Sequence, residues 1–151
     1  MSILILMLVV GVVGFAAGNG HDQKDDDVKA DLKKLDGTWR LVGLEVGGKA
    51  VNPETWGRPV RREFSGIKSS FASGERVVDG QITINPSKTP KWIDETLVTG
   101  VRFQGIYELK GNTLRLFLEP QGGQRPTEFK TKEGTQQAIQ TYERVNAAPD
   151  K

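Results

Sequence analysis

The side chains that could carry catalysis or bind a metal are few and scattered along the chain. The single histidine, His21, lies beside Asp22 near the amino terminus, and the 151 residues include no cysteine. A nucleophilic triad and a zinc site both need several such groups held close together. We therefore predict that the protein is not an enzyme and that it holds no metal or cofactor, with an enzyme of unknown type as the weakest alternative.

The Asp and Glu residues likewise form no recognisable metal-binding or catalytic pattern. The run 25–27 consists of three aspartates, but it lacks the glycine and the later bidentate glutamate of a calcium loop. Asp94 and Glu95 are adjacent in a strand-like run, so their side chains point to opposite faces and cannot share one site.

Basic and acidic residues are nearly balanced, with 21 Lys and Arg against 19 Asp and Glu. The densest basic cluster is Arg58, Arg61 and Arg62, which is too small for a polyanion-binding surface. The pattern predicts a solvated surface and no nucleic-acid partner. It indicates nothing about a protein partner.

An apolar segment opens the chain. Residues 1–18 carry no charged side chain and are dominated by Ile, Leu, Met and Val from Ile3 to Val13. The run is too short for a membrane span, and small residues at 16–18 suit cleavage after Gly18. We predict a signal peptide over 1–18, export to the periplasm or the extracellular space, and no integral membrane span after cleavage. Because no Lys or Arg precedes the apolar run, an uncleaved amino-terminal anchor stays open.

The rest of the chain divides into three predicted parts: a disordered acidic leader over 19–27, a domain over 28–146 and a disordered tail over 147–151. At the start of the domain, Val28, Leu32 and Leu35 have helical spacing. They predict a short amphipathic helix that covers one end of the domain.

Eight strand-like runs separated by Gly, Asn and Pro turn signals make up the remainder of the domain. Runs of this kind at about 8–12-residue spacing are typical of a sandwich or barrel. Short turns favour antiparallel neighbours, so we predict an all-β, eight-stranded antiparallel up-and-down barrel. The expected strands are 38–46, 59–65, 67–73, 76–84, 91–98, 101–109, 112–119 and 136–145.

Period-two alternation predicts which side chains face the barrel interior. In the first strand Trp39 and Leu41 share a face, whereas Leu44 and Val46 are offset by one, so we predict a β-bulge at Gly43. The inner face then comprises Trp39, Leu41, Phe64, Phe71, Ile82, Ile93, Phe103, Tyr107, Leu116 and Leu118.

Several motifs along the chain occur in the order seen in one family. They are Asp31–Trp39 with its Gly37-Thr38-Trp39, Leu44–Lys49, Pro86–Lys91, Gly105–Leu109 and Arg125–Phe129. Over about residues 28–145 the chain resembles a lipocalin-like family of small uncharacterised exported domains found in planctomycete bacteria. The resemblance implies a barrel and an exported protein, and it adds no catalytic residue.

The same resemblance implies structural roles at one end of the barrel. In lipocalins the tryptophan of Gly-x-Trp packs at the closed end beneath an arginine from the last strand. This implies that Trp39, after Gly37, packs beneath Arg144 as a cation–π pair. The alternative is that Arg144 is a solvated strand end.

Two charged residues occupy positions on the predicted inner face. Arg62 stands two residues before Phe64, and Glu95 stands between Ile93 and Leu97. A charge in a dry core costs several kcal/mol unless it is paired. We expect both residues at the open rim, where water reaches them. The alternative is that they approach each other, or a polar group of a ligand, inside the barrel.

Together these features predict a binding module for a small apolar or amphipathic molecule at the open end of the barrel, near Trp56, whose ring either covers the edge of the core or forms a lid over the ligand. The alternative is a solid-core structural or protein-interaction domain of the cell envelope. A connected lumen cavity of about 300 Å³ or more favours the first, and a filled interior favours the second. The candidate ligand-binding residues are Trp56, Arg62, Phe64, Phe71, Glu95, Phe103 and Tyr107.

Overall fold

A computed structural model describes residues 20–146. The predicted signal peptide over 1–18 and the predicted tail over 147–151 lie outside the described residues. The chain forms one α-helix, one 3-10 helix and nine strands in this part. Their bounds are α1 Gly20–Leu35, β1 Gly37–Val46, β2 Lys49–Val51, the 3-10 helix Pro53–Trp56, β3 Val60–Ser65, β4 Lys68–Ser73, β5 Arg76–Asn85, β6 Lys91–Leu97, β7 Arg102–Lys110, β8 Thr113–Pro120 and β9 Ala138–Arg144.

The eight long strands close into an antiparallel barrel. Each of β1 and β3 to β9 pairs with the next in chain order, and β9 returns to pair with β1. This confirms the predicted all-β barrel, and every predicted strand is present. The register between β1 and β9 shifts between Leu41 and Gly43, so the extra residue is Val42, next to Gly43, where the bulge was predicted. The short β2, which was not predicted, forms a hairpin with the last residues of β1.

The helix begins earlier than expected. It starts at Gly20 and not at Val28, so residues 20–27, for which we predicted a disordered leader, belong to the helix. No proline interrupts the helix, and four of its five aspartates lie in the amino-terminal half, where the helix dipole favours negative charge. Only the carboxyl-terminal half reaches the core, through Leu32 and Leu35.

The strand order gives the barrel two different ends. At the closed end lie the carboxyl terminus of α1, the first residues of β1 and the last residues of β9. At the open end lie the last residues of β6 and the first residues of β3, β5 and β7. The pattern of burial differs between the two ends, and this difference defines the candidate site.

A long connection between β8 and β9 covers part of the barrel exterior. Phe129 in this connection packs against Ile106, Phe117 and Ile139, which form a core cluster separate from that of the lumen. In the same connection, Arg125 Nη1 donates a hydrogen bond to the carbonyl of Gly105 at 2.8 Å. The connection therefore fixes the outer face of β7, β8 and β9.

Candidate functional site

The half of the lumen next to the closed end is filled with side chains. A dry core of this kind is close-packed and leaves little space for a ligand. The packed residues, each no more than 2% exposed, are Leu35, Trp39, Phe64, Ile82, Ile93, Tyr107, Leu114, Leu116 and Tyr142.

The other half of the lumen contains a cavity of about 230 Å³. Every residue that lines it lies within two positions of the open end of its strand. The lining consists of an apolar wall and a polar patch. The apolar wall is Phe71, Val78, Leu97, Phe103 and Leu118, and the polar patch is Arg62, Glu95 and Gln140.

Arg62 and Glu95 form an ion pair inside the barrel. Nη1 of Arg62 lies 2.7 Å from Oε1 and 2.9 Å from Oε2 of Glu95, and the two side chains are 6% and 3% exposed respectively. The expectation that water reaches both residues at the rim is therefore wrong, and the alternative of a pair inside the barrel is observed. Alternation placed both on the inner face, and mutual charge compensation lets them stay there.

Neighbouring side chains complete the surroundings of this pair. The hydroxyl of Ser69 donates to Oε1 of Glu95 at 2.7 Å. The guanidinium carbon of Arg62 lies 5.9 Å from the ring centroid of Phe64 and 5.5 Å from that of Phe71, within cation–π range. The Nε atom of Arg62, in contrast, has no hydrogen-bond partner among the described residues.

Electrostatics keep Arg62 charged. Burial alone would lower the pKa of Arg62, but the neighbouring Tyr142 and the carboxylate of Glu95 outweigh it and hold that pKa above its ordinary value. Burial raises the pKa of Tyr142 more than the nearby guanidinium lowers it. The Tyr142 hydroxyl therefore stays protonated, and it donates to Oε1 of Gln140 at 2.7 Å.

The structure separates the seven candidate ligand-binding residues into three groups. Arg62, Phe71, Glu95 and Phe103 line the cavity together. Phe64 and Tyr107 lie deeper, each 1% exposed in the packed half, because their strands carry them toward the closed end.

Trp56 does not line the cavity. It lies in the 3-10 helix and is 43% exposed. This helix is capped by the side chain of Asn52, whose Oδ1 accepts from the backbone N–H of Glu54 at 3.0 Å. The local cap holds the turn in place and leaves Trp56 facing outward.

Four lining residues were absent from the candidate set: Val78, Leu97, Leu118 and Gln140. The signal for each was present as period-two alternation. Leu118 was already assigned to the inner face, Val78 shares a face with Ile82, and Leu97 follows Glu95 by two. Gln140 precedes the buried Tyr142 by two residues, so its amide was also predictable as an inner group.

The closed end is held by Arg144 and Trp39. The Arg144 guanidinium lies 4.2 Å from the Trp39 ring centroid, and its nitrogens donate to the carbonyls of Lys34 and Asp36, both at 2.6 Å. Trp39 Nε1 donates to the carbonyl of Leu35 at 2.8 Å. These contacts bind the end of α1 to β1 and β9.

Gly37 allows this arrangement. It adopts a φ of +121°, and a Cβ atom there would lie 3.0 Å from Nη1 of Arg144. A side chain at this position would be strained and would displace the guanidinium. The glycine of Gly-x-Trp thus serves the same structural unit as Trp39 and Arg144.

A second polar cluster anchors the helix to the barrel, and sequence reasoning missed it. Asp31, which is buried, accepts hydrogen bonds at Oδ2 from the Tyr107 hydroxyl at 2.7 Å and from Lys91 Nζ at 2.5 Å. Burial alone would raise the pKa of Asp31, but the bonds from Lys91 and Tyr107 lower it below its ordinary value. Burial and the Asp31 carboxylate raise the pKa of Tyr107.

Three larger depressions lie elsewhere on the barrel. One of about 370 Å³ lies between the β5–β6 turn and Phe129, one of about 470 Å³ lies among mostly exposed polar residues of β3, β4 and β5, and one of about 260 Å³ lies between β1, the 3-10 helix and the start of β3. The buried pair with the unpartnered Nε atom lines none of them. The lumen cavity is therefore the candidate site.

Within residues 20–146 no group of three or more His, Cys, Asp or Glu side chains is placed to hold a metal ion. Over the same part of the chain, no helix combines the length and the apolar character that crossing a membrane requires.

Fold and site together define a closed, eight-stranded antiparallel β-barrel with a half-filled lumen. No protein-family model matches the chain, and no curated protein matches it either. Among solved structures, the chain is similar to a de novo designed fluorescence-activating β-barrel. The two are 14% identical, the alignment covers 78% of this chain and 99% of the design, and the TM-score is 0.43.

Proposed function

We propose that this barrel is an exported binding module that takes up a small amphipathic molecule in the open half of its lumen. The observation that carries the proposal is the cavity of about 230 Å³, in which the apolar wall faces a buried polar patch. Binding pockets commonly combine apolar walls with a few placed polar groups. The proposal assigns no catalytic step to any residue.

Cavity size limits what can bind. Pockets for drug-sized ligands are about 300–1,000 Å³, and the lumen cavity of about 230 Å³ lies below that range. It also lies below the volume that we expected of a carrier. The proposed ligand is therefore smaller than a typical lipid or drug, with an apolar body and one polar end.

Export is part of the proposal because of the amino-terminal sequence. The apolar, uncharged segment over 1–18 is the basis for a signal peptide, and the small residues at its end suit cleavage. A ligand of an exported barrel would be met in the periplasm or outside the cell.

Native mass spectrometry of protein purified from the cells that naturally make it tests the proposal. Two variants of neighbouring residues supply a matched comparison. Val78→Phe puts a larger side chain into the cavity, whereas Val77→Phe adds the same atoms to an exposed position on the outside of β5. We expect a co-purifying small molecule with the wild type and with Val77→Phe, and none with Val78→Phe. A ligand-free wild type, or equal occupancy in all three proteins, would contradict the proposal.

A protein-interaction domain is the second candidate, and one observation favours it. Three valines at the open end are exposed, with Val98 at 75%, Val77 at 59% and Val101 at 47%. Val98 N–H donates to the carbonyl of Asp79 at 2.9 Å, which holds the β6–β7 turn beside β5. The same mass spectra distinguish the two candidate functions. A bound protein chain that is lost in Val98→Lys and kept in Val78→Phe supports the protein-interaction domain.

A further inference from the structure

We infer that the ligand presents an uncharged hydrogen-bond acceptor, such as a ketone, aldehyde, ester or amide oxygen, to Nε of Arg62. This inference rests on the proposed function, because it names the chemistry of a molecule in the same cavity. It adds a class of ligand, and it excludes carboxylates as the preferred one.

The first step is that Nε of Arg62 lacks a hydrogen-bond acceptor. The Arg62 side chain is 6% exposed and lines the cavity, and Nη1 alone makes both contacts to the carboxylate of Glu95. Nε has no partner among the described residues. A buried N–H of a charged group without an acceptor is costly, and nearly all such donors in folded proteins are satisfied. Nε itself is almost inaccessible, so a ligand in the cavity supplies the missing acceptor once the Arg62 side chain, which lines the cavity, shifts slightly toward it.

The second step is the charge of the acceptor. Glu95 already neutralises Arg62, and both of its oxygens face the guanidinium. A ligand carboxylate would bring a second negative charge close to Glu95, in surroundings where water screens poorly. A carbonyl oxygen accepts the same hydrogen bond without that repulsion.

The third step concerns the part of the ligand that carries no acceptor, which must fit the apolar wall. The apolar wall presents two phenyl rings, of Phe71 and Phe103, and three aliphatic side chains. Burial against such a wall favours a compact apolar group by roughly 25 cal/mol per Å² of apolar surface removed from water. A small ring or branched chain that bears one carbonyl group fits both parts of the lining.

Three probes of nearly identical shape separate these contributions. Acetophenone carries a carbonyl oxygen, α-methylstyrene replaces that oxygen by a CH₂ group, and benzoate replaces the methylcarbonyl group by a carboxylate. Titrations of the full mature chain, followed by two-dimensional NMR, give a Kd for each probe. The Nε–H resonance of Arg62 reports directly on the proposed hydrogen bond.

We expect acetophenone to bind at least about tenfold more tightly than α-methylstyrene, because a hydrogen bond to a charged donor is worth that factor or more. We also expect benzoate to bind more weakly than acetophenone, and only acetophenone to shift the Arg62 Nε–H resonance strongly. In Arg62→Met/Glu95→Gln, which removes both charges together, the Kd ratio of acetophenone to α-methylstyrene should approach one. Arg40→Met, on the exposed outer face of β1, should keep the wild-type ratio.

The outcomes distinguish this inference from the proposed function. Equal Kd values for acetophenone and α-methylstyrene would overturn the role of Nε and leave lumen binding intact. Tightest binding by benzoate would overturn the preference for an uncharged acceptor. Failure of all three probes to bind would contradict both the inference and the proposed lumen site.

Discussion

Nη1 of Arg62 contacts both carboxylate oxygens of Glu95, at 2.7 and 2.9 Å, across the interior of the barrel. Arg62 belongs to β3 and Glu95 to β6, strands that are not neighbours in the sheet. The pair therefore bridges the lumen and divides it, with the packed core toward the closed end and the cavity toward the open end.

The first prediction concerns the stability of this pair. Arg62→Met leaves Glu95 buried without its partner, and we expect a loss of about 3–5 kcal/mol in the free energy of unfolding. Arg62→Met/Glu95→Gln removes both charges, so most of that loss should be regained. Urea unfolding followed by tryptophan fluorescence measures both. A single variant as stable as the wild type would show that the pair is not buried in solution.

The second prediction concerns the closed end. Arg144→Ala removes the cation over Trp39 and two hydrogen bonds to the end of α1, so we expect a loss of about 2 kcal/mol. Arg115→Ala is a matched control, because Arg115 stacks on Phe129 at 4.4 Å outside the lumen. The loss of stability in Arg115→Ala should be smaller, because Arg115 makes no hydrogen bonds to the end of the helix. Equal losses in urea unfolding would argue against a special role for the closed-end contact.

The third prediction concerns the stability of the fold at acid pH, to which Asp31 contributes. The native pKa of Asp31 lies below its ordinary value of 3.8, so the native state holds this proton more weakly than the unfolded chain does. Its stabilising contribution is thus complete above that value and is lost as the pH falls from 3.8 toward the native pKa. Asp31→Asn should make stability less dependent on pH between about 5 and about 2.

Asp26→Asn, at an exposed position of the same helix, is the control for this third prediction. Urea midpoints across the pH range give the comparison. If the two variants showed the same pH dependence, the bonds from Lys91 and Tyr107 to Asp31 would not contribute to acid stability.

The fourth prediction concerns Gly105, beside the cavity wall. A Cβ atom at this position would lie 2.1 Å from the carbonyl oxygen of Phe117 and 2.9 Å from Cδ2 of Leu118. Gly105→Ala therefore forces β7 and β8 apart, and we expect a loss of about 3 kcal/mol or more. Gly123→Ala, whose Cβ would meet nothing nearer than 3.6 Å, should change stability by less than about 1 kcal/mol. Thermal unfolding that ranked the two in the opposite order would contradict the observed strand spacing.

Alternation along single strands made most of the barrel predictable. Val101 to Leu109 and Leu114 to Leu118 alternate clearly, and a slip between Leu41 and Leu44 was enough to locate the bulge to within one residue. These are local signals, and each is complete within a few residues. The same rule placed Arg62 and Glu95 on the inner face.

Contacts between distant elements could not be predicted in the same way. Glu95 is 33 residues from Arg62, and their meeting depends on how the strands tilt around the closed barrel. The Asp31 cluster joins a helix to β6 and β7 across 60 and 76 residues. Neither position carries a local signal of its partner, so the sequence left the pairing in the lumen open and missed the helix anchor.

The central claim is that a small molecule lies in the lumen between the apolar wall and Arg62. Intermolecular nuclear Overhauser effects between acetophenone and the ¹³C-labelled mature chain test it most directly. The account predicts contacts from the phenyl protons of the probe to the side chains of Phe71, Phe103 and Leu118. Contacts confined to exposed groups such as Trp56 or Trp92, with none to those three side chains, would contradict it.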